Sequence, residues 1–382
     1  MALDLSFTEE QEMRRDMVRG VCSSYASLET VREMEDDAIG YPAELWKQLT
    51  ELDLIGLMIP SEYGGSGMGL LEGAVVYEEF GRSLAPSPHF VSAVLSAGVL
   101  LRAGTEEQRQ SWLPKIVSGE EIFTTAWLEP EHGFGPRGVE LRATPDGDDF
   151  TLDGVKWHVP FASAATQFVV LARTGDGDTD VDLFLVDPTA AGVALQQYTT
   201  IASDTQYAVT FDGVKVSATQ RIGAAASGWA TWHETMLDGM ILMAAQAVGG
   251  AQYALDITVQ YAKDRVQFDK PLGAFQAIAH YLADASTNVD GATILVHEAA
   301  WARANDKSVD RLAPMAKLFA CQTFRDVTAM AQQVFGGVGF TVEYDVQLYF
   351  RRAKQLQISW FDNRALEDLV AAAVLDAPDH HS

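Results

Sequence analysis

The spacing of apolar residues changes twice along this chain, and that change constrains the fold more than any other feature. In residues 1–120 and 224–382 apolar side chains recur every three or four positions, which is typical of helices. Residues 121–223 show short runs of period two between Asp- and Gly-rich turns, which is typical of strands. The pattern predicts an α+β multidomain protein with an N-terminal helical domain, a middle antiparallel β domain and a C-terminal four-helix bundle.

Two threonines mark predicted helix starts in the N-terminal block. Thr8 precedes an acidic first turn, and Thr105 lies three residues before Gln108, in the spacing of a capping box. We expect both hydroxyls to accept a backbone hydrogen bond from the first turn of their helices.

Length and composition define the broad class of protein. At 382 residues the chain exceeds one ordinary core, and its 48% hydrophobic and 21% charged residues are typical of a globular protein. No apolar run reaches the length that a membrane-spanning helix needs, so no membrane span is expected. The first residues lack a basic stretch before an apolar run, and only two cysteines occur, so a cytoplasmic location is predicted.

Charge and the spacing of metal-ligating residue types exclude two classes of function. The formal net charge of -26 opposes nucleic-acid binding, because the protein would repel the phosphates. Cys22 and Cys321 are far apart, and the histidines form no i, i+4 pair. The sequence therefore predicts no metal site.

Two short segments of the C-terminal block carry the residue types of a nucleotide site. Segment 264–276 places a cation, Arg265, and a ring, Phe268, around a Pro/Gly break, and segment 333–340 places an amide beside paired glycines. An arginine can form paired bonds with a pyrophosphate, an aromatic ring can pack on adenine, and glycine lets backbone approach a ligand closely. The candidate cofactor-binding residues here are Arg265, Phe268, Gln276, Gln333, Gly336 and Gly337.

With the order of the three blocks, these segments resemble the acyl-CoA dehydrogenase family, over nearly the whole chain. The resemblance implies an FAD-dependent oxidoreductase of lipid metabolism that oxidises the α–β bond of an acyl-CoA or a related thioester. It also implies a dimer or tetramer in which each flavin lies between two subunits. One subunit's β domain holds the isoalloxazine, and its neighbour lends an Arg, a Phe and Gln residues to the pyrophosphate and adenosine end. This chain matches the lent half.

The half that holds the flavin departs from the family pattern. Leu128 and Phe134 stand where the family has a Thr and a Ser that bond flavin or ligand. His158 stands where the family has a Trp that forms an aromatic wall, and Pro160 where it has a Thr near the reactive nitrogen. Trp157, one position before that wall, remains a candidate to cover the flavin ring.

The usual catalytic base is also absent. The family's Glu, a few residues beyond an Arg-x-Ala-Lys stretch, corresponds to Trp360, and an alternative position on the first bundle helix corresponds to Gly239. Neither side chain accepts a proton. Asp362 is the candidate substitute base, with Asp238 and Glu234 as further carboxylates. The other interpretation of Asp362 is an N-cap of the helix that follows it.

Two hypotheses follow from this resemblance. The first is an active acyl-CoA dehydrogenase that self-assembles and uses Asp362 as an unusual base. The second is a non-catalytic partner subunit of a hetero-oligomeric acyl-CoA dehydrogenase, of the sterol side-chain type or another, that lends half of the FAD site. Both remain open from the sequence.

Overall fold

The computed structural model describes residues 7–376 of the chain. Contacts divide it into two compact units. One unit comprises the residues up to Val31, residues 69–85 and the residues from Met240 onward. The other comprises residues 32–68 and 86–239. Within the described range, no helix is long and apolar enough to cross a membrane.

The N-terminal block is helical, and both predicted caps are present. Thr8 Oγ1 accepts from Gln11 N at 3.2 Å, and Thr105 Oγ1 accepts from Gln108 N at 3.2 Å. In each case the glutamine side chain returns a bond to the threonine N–H, which completes a capping box. The helices are α1 Glu9–Tyr25, α2 Leu28–Glu33, α3 Ala43–Glu51, α4 Leu70–Ser83, α5 Ala97–Ala103 and α6 Glu106–Val117, with a π-helix at Phe90–Ser96 before α5.

The middle block is a β domain built on one eight-stranded sheet. Most neighbouring pairs are antiparallel, as predicted, but β1 and β2 both run parallel to β4. The core of the β domain is apolar and includes the fully buried side chains of Leu152, Phe168 and Phe211. The strands are β1 Phe123–Ala126, β2 Arg142–Asp146, β3 Asp149–Pro160, β4 Gln167–Arg173, β5 Val181–Val186, β6 Val193–Tyr198, β7 Gln206–Val216 and β8 Arg221–Ile222, in the order β6-β7-β3-β2-β4-β5-β8 with β1 beside β4.

The C-terminal block is helical, as its spacing predicts. A two-stranded hairpin, β9 Val266–Gln267 and β10 Lys270–Pro271, lies between its first two helices. The helices are α7 Gly228–Asp264, α8 Gln276–Ala304, α9 Leu312–Phe335, α10 Val346–Ile358 and α11 Asn363–Leu375.

Small residues bring α4 and the second half of α7 into backbone contact. A Cβ added at Gly81 would lie 1.8 Å from the carbonyl oxygen of Gln246, and one added at Gly249 would lie 1.8 Å from that of Glu78. Both distances are far below van der Waals contact, so glycine is required at both positions. This crossing explains why the apolar face of α7 is so rich in small side chains.

Candidate functional site

The hairpin formed by β9 and β10 presents the aromatic ring of the predicted nucleotide segment to solvent. Its two loop residues, Phe268 and Asp269, have φ of 53° and 61°, the left-handed pair that a tight two-residue hairpin loop requires. Neither is glycine, so the loop stores some backbone strain. The Phe268 side chain is 87% exposed.

Contacts inside the segment fix the position of that ring. Phe268 meets Phe275 edge-on, with ring centroids 6.3 Å apart. The ammonium of Lys270 lies 4.2 Å from the centroid of Phe275. Leu272 N donates to the carbonyl oxygen of Arg265 at 2.9 Å, which closes the segment behind the hairpin.

The structure brings the two predicted segments to the same end of the bundle. Tyr261, one turn before Arg265, stacks on Phe335, the last residue of α9, with centroids 4.2 Å apart and planes 15° apart. Gly336 follows with φ of 66°, and a Cβ added there or at Gly337 would meet no atom within 4 Å. The backbone of this corner is therefore open to an approaching molecule.

The polar members of this cluster face solvent. Arg265, Gln276 and Gln333 are all exposed. Among residues 7–376, Arg265 forms no ion pair, although acidic residues are twice as numerous as basic ones in the chain. An exposed, unpaired guanidinium beside an exposed aromatic ring is a surface suited to a phosphate and a purine.

Three positions where the family bonds the isoalloxazine, Leu128, Phe134 and Pro160, carry no side-chain donor. The ring of Phe134 lies against Trp127, with centroids 6.0 Å apart. Pro160 has no N–H, and its carbonyl oxygen accepts from Thr124 Oγ1 at 2.7 Å. Together with Leu128, these residues make the site apolar where the family pattern is hydroxylated.

The aromatic wall of the family is replaced by a β-bulge. The pairing of β3 with β7 slips by one residue between Lys156 and Val159, so both Trp157 and His158 face outward. His158 has φ of 53°, and its backbone N–H donates to Tyr198 Oη at 2.7 Å. Trp157 is 43% exposed, and its assignment as a flavin contact stays a prediction.

A buried ion pair, which sequence reasoning passed over, anchors the loop after β1. Lys156 Nζ lies 2.5 Å from Glu129 Oε1 and is fully buried. The same carboxylate oxygen accepts the backbone N–H groups of Glu140 and Leu141, each at 2.9 Å. Burial lowers the pKa of Lys156 to about 8, and Glu129 opposes that shift. In the sequence, Glu129 precedes Pro130 and Lys156 ends a Gly-x-Lys turn. These two motifs were the signals that could have indicated the ion pair.

Thr125 Oγ1 and Trp232 Nε1 have no hydrogen-bond partner within the described chain, and both side chains are almost completely buried. The ring of Trp232 lies 5.3 Å from that of Trp127. No sequence pattern marked either residue, because an unpaired buried donor is visible only once the fold is known.

Asp362 caps a helix. Its Oδ1 accepts from Ala365 N at 2.9 Å, at the start of α11, which confirms the N-cap interpretation. The residues before it, Trp360 and Phe361, both have left-handed φ, 58° and 88°. The fully buried ammonium of Lys317 donates to the carbonyl oxygen of Phe361 at 2.8 Å, and burial lowers its pKa. The role of Asp362 as a base stays a prediction.

The alternative base position is crowded. A Cβ added at Gly239 would lie 3.0 Å from Leu95 Cδ2 and 3.3 Å from Phe90 Cζ. The neighbouring Asp238 is engaged in an ion pair with Arg102. A carboxylate at position 239 would therefore need the π-helix side chains to move.

Comparison with known proteins identifies the class. Three family models match in sequence: the acyl-CoA dehydrogenase N-terminal domain over residues 8–120, the middle domain over 124–214 and the C-terminal domain over 226–362. The chain belongs to the acyl-CoA dehydrogenase family. Members are FAD-dependent oxidoreductases that act on the CH–CH bond of acyl thioesters, which confirms the predicted fold class, enzyme class and cofactor.

Similar proteins include a probable acyl-CoA dehydrogenase and chains of two solved structures. The probable acyl-CoA dehydrogenase YngJ of Bacillus subtilis is 32% identical, with 93% of this chain and 95% of that protein covered. The ChsE4-ChsE5 complex from Mycobacterium tuberculosis matches at a TM-score of 0.89 and 28% identity, covering 99% of this chain and 100% of that one. The Tcur3481-Tcur3483 steroid ACAD variant matches at a TM-score of 0.85 and 31% identity, covering 96% of this chain and 98% of that one.

The residues present fit one end of FAD better than the other. Arg265, Phe268 and the open corner at Gly336 would hold its pyrophosphate and adenosine, by charge and by ring packing. Leu128, Phe134 and Pro160 supply none of the side-chain bonds that the family uses at the isoalloxazine. When bound, the flavin supplies the hydride acceptor for dehydrogenation.

Proposed function

We propose that this chain is the non-catalytic partner subunit of a hetero-oligomeric acyl-CoA dehydrogenase. In that assembly the Arg265 hairpin lends the pyrophosphate and adenosine half of an FAD site to a neighbouring β domain. The observation that carries the proposal is the asymmetry of the chain. Arg265 and Phe268, the residues proposed for the lent half, are exposed, whereas Leu128, Phe134 and Pro160 carry no side-chain donor and both base positions lack a carboxylate.

The relatives support an assembly of unlike chains. The ChsE4-ChsE5 structure is a complex of two named proteins, and the Tcur3481-Tcur3483 structure pairs two names and is described as a steroid ACAD. From these likenesses we propose an acyl-CoA thioester of the sterol side-chain class as the substrate of the complex. The two cysteines are free and buried, which agrees with the proposed cytoplasmic location.

The proposal is tested by measuring flavin and activity with and without a partner. We expect the chain purified alone to carry well under one flavin per chain and to show no dehydrogenation of acyl-CoA with an artificial electron acceptor. Co-expression with a family chain that has the catalytic Glu should produce a yellow, active complex. One flavin per chain and full activity in the chain alone would overturn the proposal.

Substitution of Arg265 tests the lent half directly. Arg265→Ala should weaken flavin retention by the complex by about 1.5–3 kcal/mol, because a charge-assisted bond to the pyrophosphate is lost. Arg311→Ala, which removes another exposed arginine of the same bundle, is the matched control and should leave retention unchanged. Equal flavin affinity in both variants would show that Arg265 does not contact the cofactor.

A self-sufficient dehydrogenase that uses Asp362 is the second candidate. It is favoured by one observation: only Oδ1 of Asp362 is used in the N-cap, and no hydrogen bond to Oδ2 is formed within the described residues. A carboxylate with a free oxygen remains competent to accept a proton.

A further inference from the structure

A cavity of about 290 Å³ lies between the C-terminal ends of α1 and α4 and the helices α7 and α10. All of its lining residues belong to one of the two compact units, and none of them is among the residues assigned above to the flavin or to a base. The volume is close to the lower end of the range of roughly 300–1,000 Å³ that small-molecule pockets span. It therefore suits a ligand of a single ring better than a nucleotide cofactor.

One wall of the cavity is aromatic. Tyr253 of α7 packs on Tyr349 of α10, with ring centroids 5.0 Å apart and planes 32° apart. Tyr349 is fully buried, and its hydroxyl donates to the backbone carbonyl oxygen of Arg82. Tyr253 is half-buried, and within the described residues its hydroxyl forms no hydrogen bond. The pair gives the cavity a fixed surface on which a second aromatic ring can pack.

The guanidinium of Arg82 lines the same cavity and is held in place from one side. Its Nη1 donates to Asp256 Oδ2 at 2.9 Å, and its carbon lies 5.1 Å from the ring centroid of Tyr253. Gln252 Nε2 donates to the other oxygen of Asp256 at 2.8 Å, which fixes that carboxylate as well. Across residues 7–376, Nε and Nη2 of Arg82 donate no hydrogen bond. These two donors remain available for charge-assisted bonds to a carboxylate.

The charge balance around the cavity favours an anion. Of the described residues that line it, Arg19 and Arg82 are cations and Glu79 is the one carboxylate, whereas in the whole chain 53 acidic residues outnumber 27 basic ones. Glu79 is already bound by Arg19, through Nε at 2.9 Å and Nη2 at 2.8 Å. Burial raises the pKa of the Cys22 thiol to about 11, so this lining group adds no negative charge near neutral pH. An incoming anion therefore meets little repulsion from the lining.

We propose that this cavity binds a small aromatic carboxylate. The ring packs against Tyr253 and the apolar side chains of Ala26 and Leu28, and the carboxylate accepts from the free donors of Arg82. The site does not depend on the proposed function, because neither the Arg265 hairpin nor a catalytic base takes part in it.

The test is calorimetric titration of the full chain with benzoate and two related probes. Benzyl alcohol keeps the aromatic ring without the charge and should bind roughly tenfold or more weakly, because a hydrogen bond to a charged group is lost. Cyclohexanecarboxylate keeps the charge without the aromatic ring and should bind roughly two- to tenfold more weakly, because the ring pair with Tyr253 is lost.

Three substitutions test the walls and the opening. Arg82→Gln should weaken benzoate binding roughly tenfold or more, because glutamine cannot form the charge-assisted bonds. Tyr253→Leu should weaken it roughly two- to tenfold, because an apolar side chain remains but the aromatic ring is removed. Ser23 is exposed and lines the cavity, so Ser23→Phe should weaken binding by filling the opening while the fold is kept. This third variant carries the test if a wall variant does not fold.

Arg325→Gln is the matched control. It removes another arginine of the same compact unit, whose Nη2 lies 2.6 Å from Asp326 Oδ1 and which does not line the cavity. Benzoate binding should be unchanged in this variant. The proposal is overturned if benzoate does not bind at millimolar concentration, or if benzyl alcohol binds as tightly as benzoate. It is also overturned if the folded cavity variants keep the dissociation constant of the parent chain within twofold.

Discussion

At the scale of single residues, the charged groups that matter are those whose partners the structure defines. Lys156 is buried with Glu129, a pair that the sequence did not indicate, and Asp362 caps a helix, as one of its two sequence interpretations predicted. For each of these residues, an uncharged substitution of similar size separates the effect of the charge from the effect of the fold.

Asp362→Asn separates capping from catalysis. Asparagine caps a helix about as well as aspartate, so the free energy of unfolding should change by less than about 0.5 kcal/mol. Activity of the mixed complex should also be unchanged, because in the proposed function this chain supplies no base. The measurement is acyl-CoA dehydrogenation by the reconstituted complex. Abolished activity in a folded variant would favour the self-sufficient dehydrogenase instead.

Lys156 makes stability depend on pH in the alkaline range. Burial lowers its pKa from the ordinary 10.5 to about 8, so the folded chain loses this proton before the unfolded chain does. Between those pH values the unfolded state binds more protons, and the contribution of Lys156 to the free energy of unfolding rises with pH. Urea unfolding of the parent chain and of Lys156→Met, at pH 7 and pH 10, should show that the free energy of unfolding of the parent rises relative to that of the variant. An equal pH response in both proteins would exclude Lys156 as its source.

At the scale of elements, α4 and α7 cross at glycine positions where no side chain would fit. Gly81→Ala should lower the free energy of unfolding by at least about 1–3 kcal/mol, because the added Cβ would overlap the Gln246 carbonyl and the helices must separate. Gly20→Ala on α1 is the control, since a Cβ there meets nothing within 4 Å. That variant should be neutral or more stable by up to about 1 kcal/mol through helix propensity. Urea unfolding compares them, and similar effects at both sites would contradict the steric explanation.

At the scale of the whole molecule, the exposed Arg265 hairpin predicts assembly. Phe268 is 87% exposed although its ring meets Phe275 edge-on, and Arg265 forms no ion pair among residues 7–376. We expect another protomer to cover this surface. Sedimentation should show a species larger than the 41.6 kDa chain once the partner is present. The interface in that species should bury on the order of 1,000 Å² or more. A complex that leaves Phe268 open to solvent would contradict this role for the hairpin. The division into three domains, 1–120, 121–223 and 224–382, also stays a prediction.

The order of helical, β and helical blocks could be determined from the sequence, because hydrophobic period reflects local geometry that each segment carries by itself. The segments around Arg265 and Gly336 could be found for the same reason: their residue types and spacing are local. The tertiary structure decided what depends on distant partners. It stacked Tyr261 on Phe335, and it joined Gln206 by hydrogen bonds to Asp204 and to His158. Such contacts join residues tens of positions apart, and no local pattern encodes the distance between them.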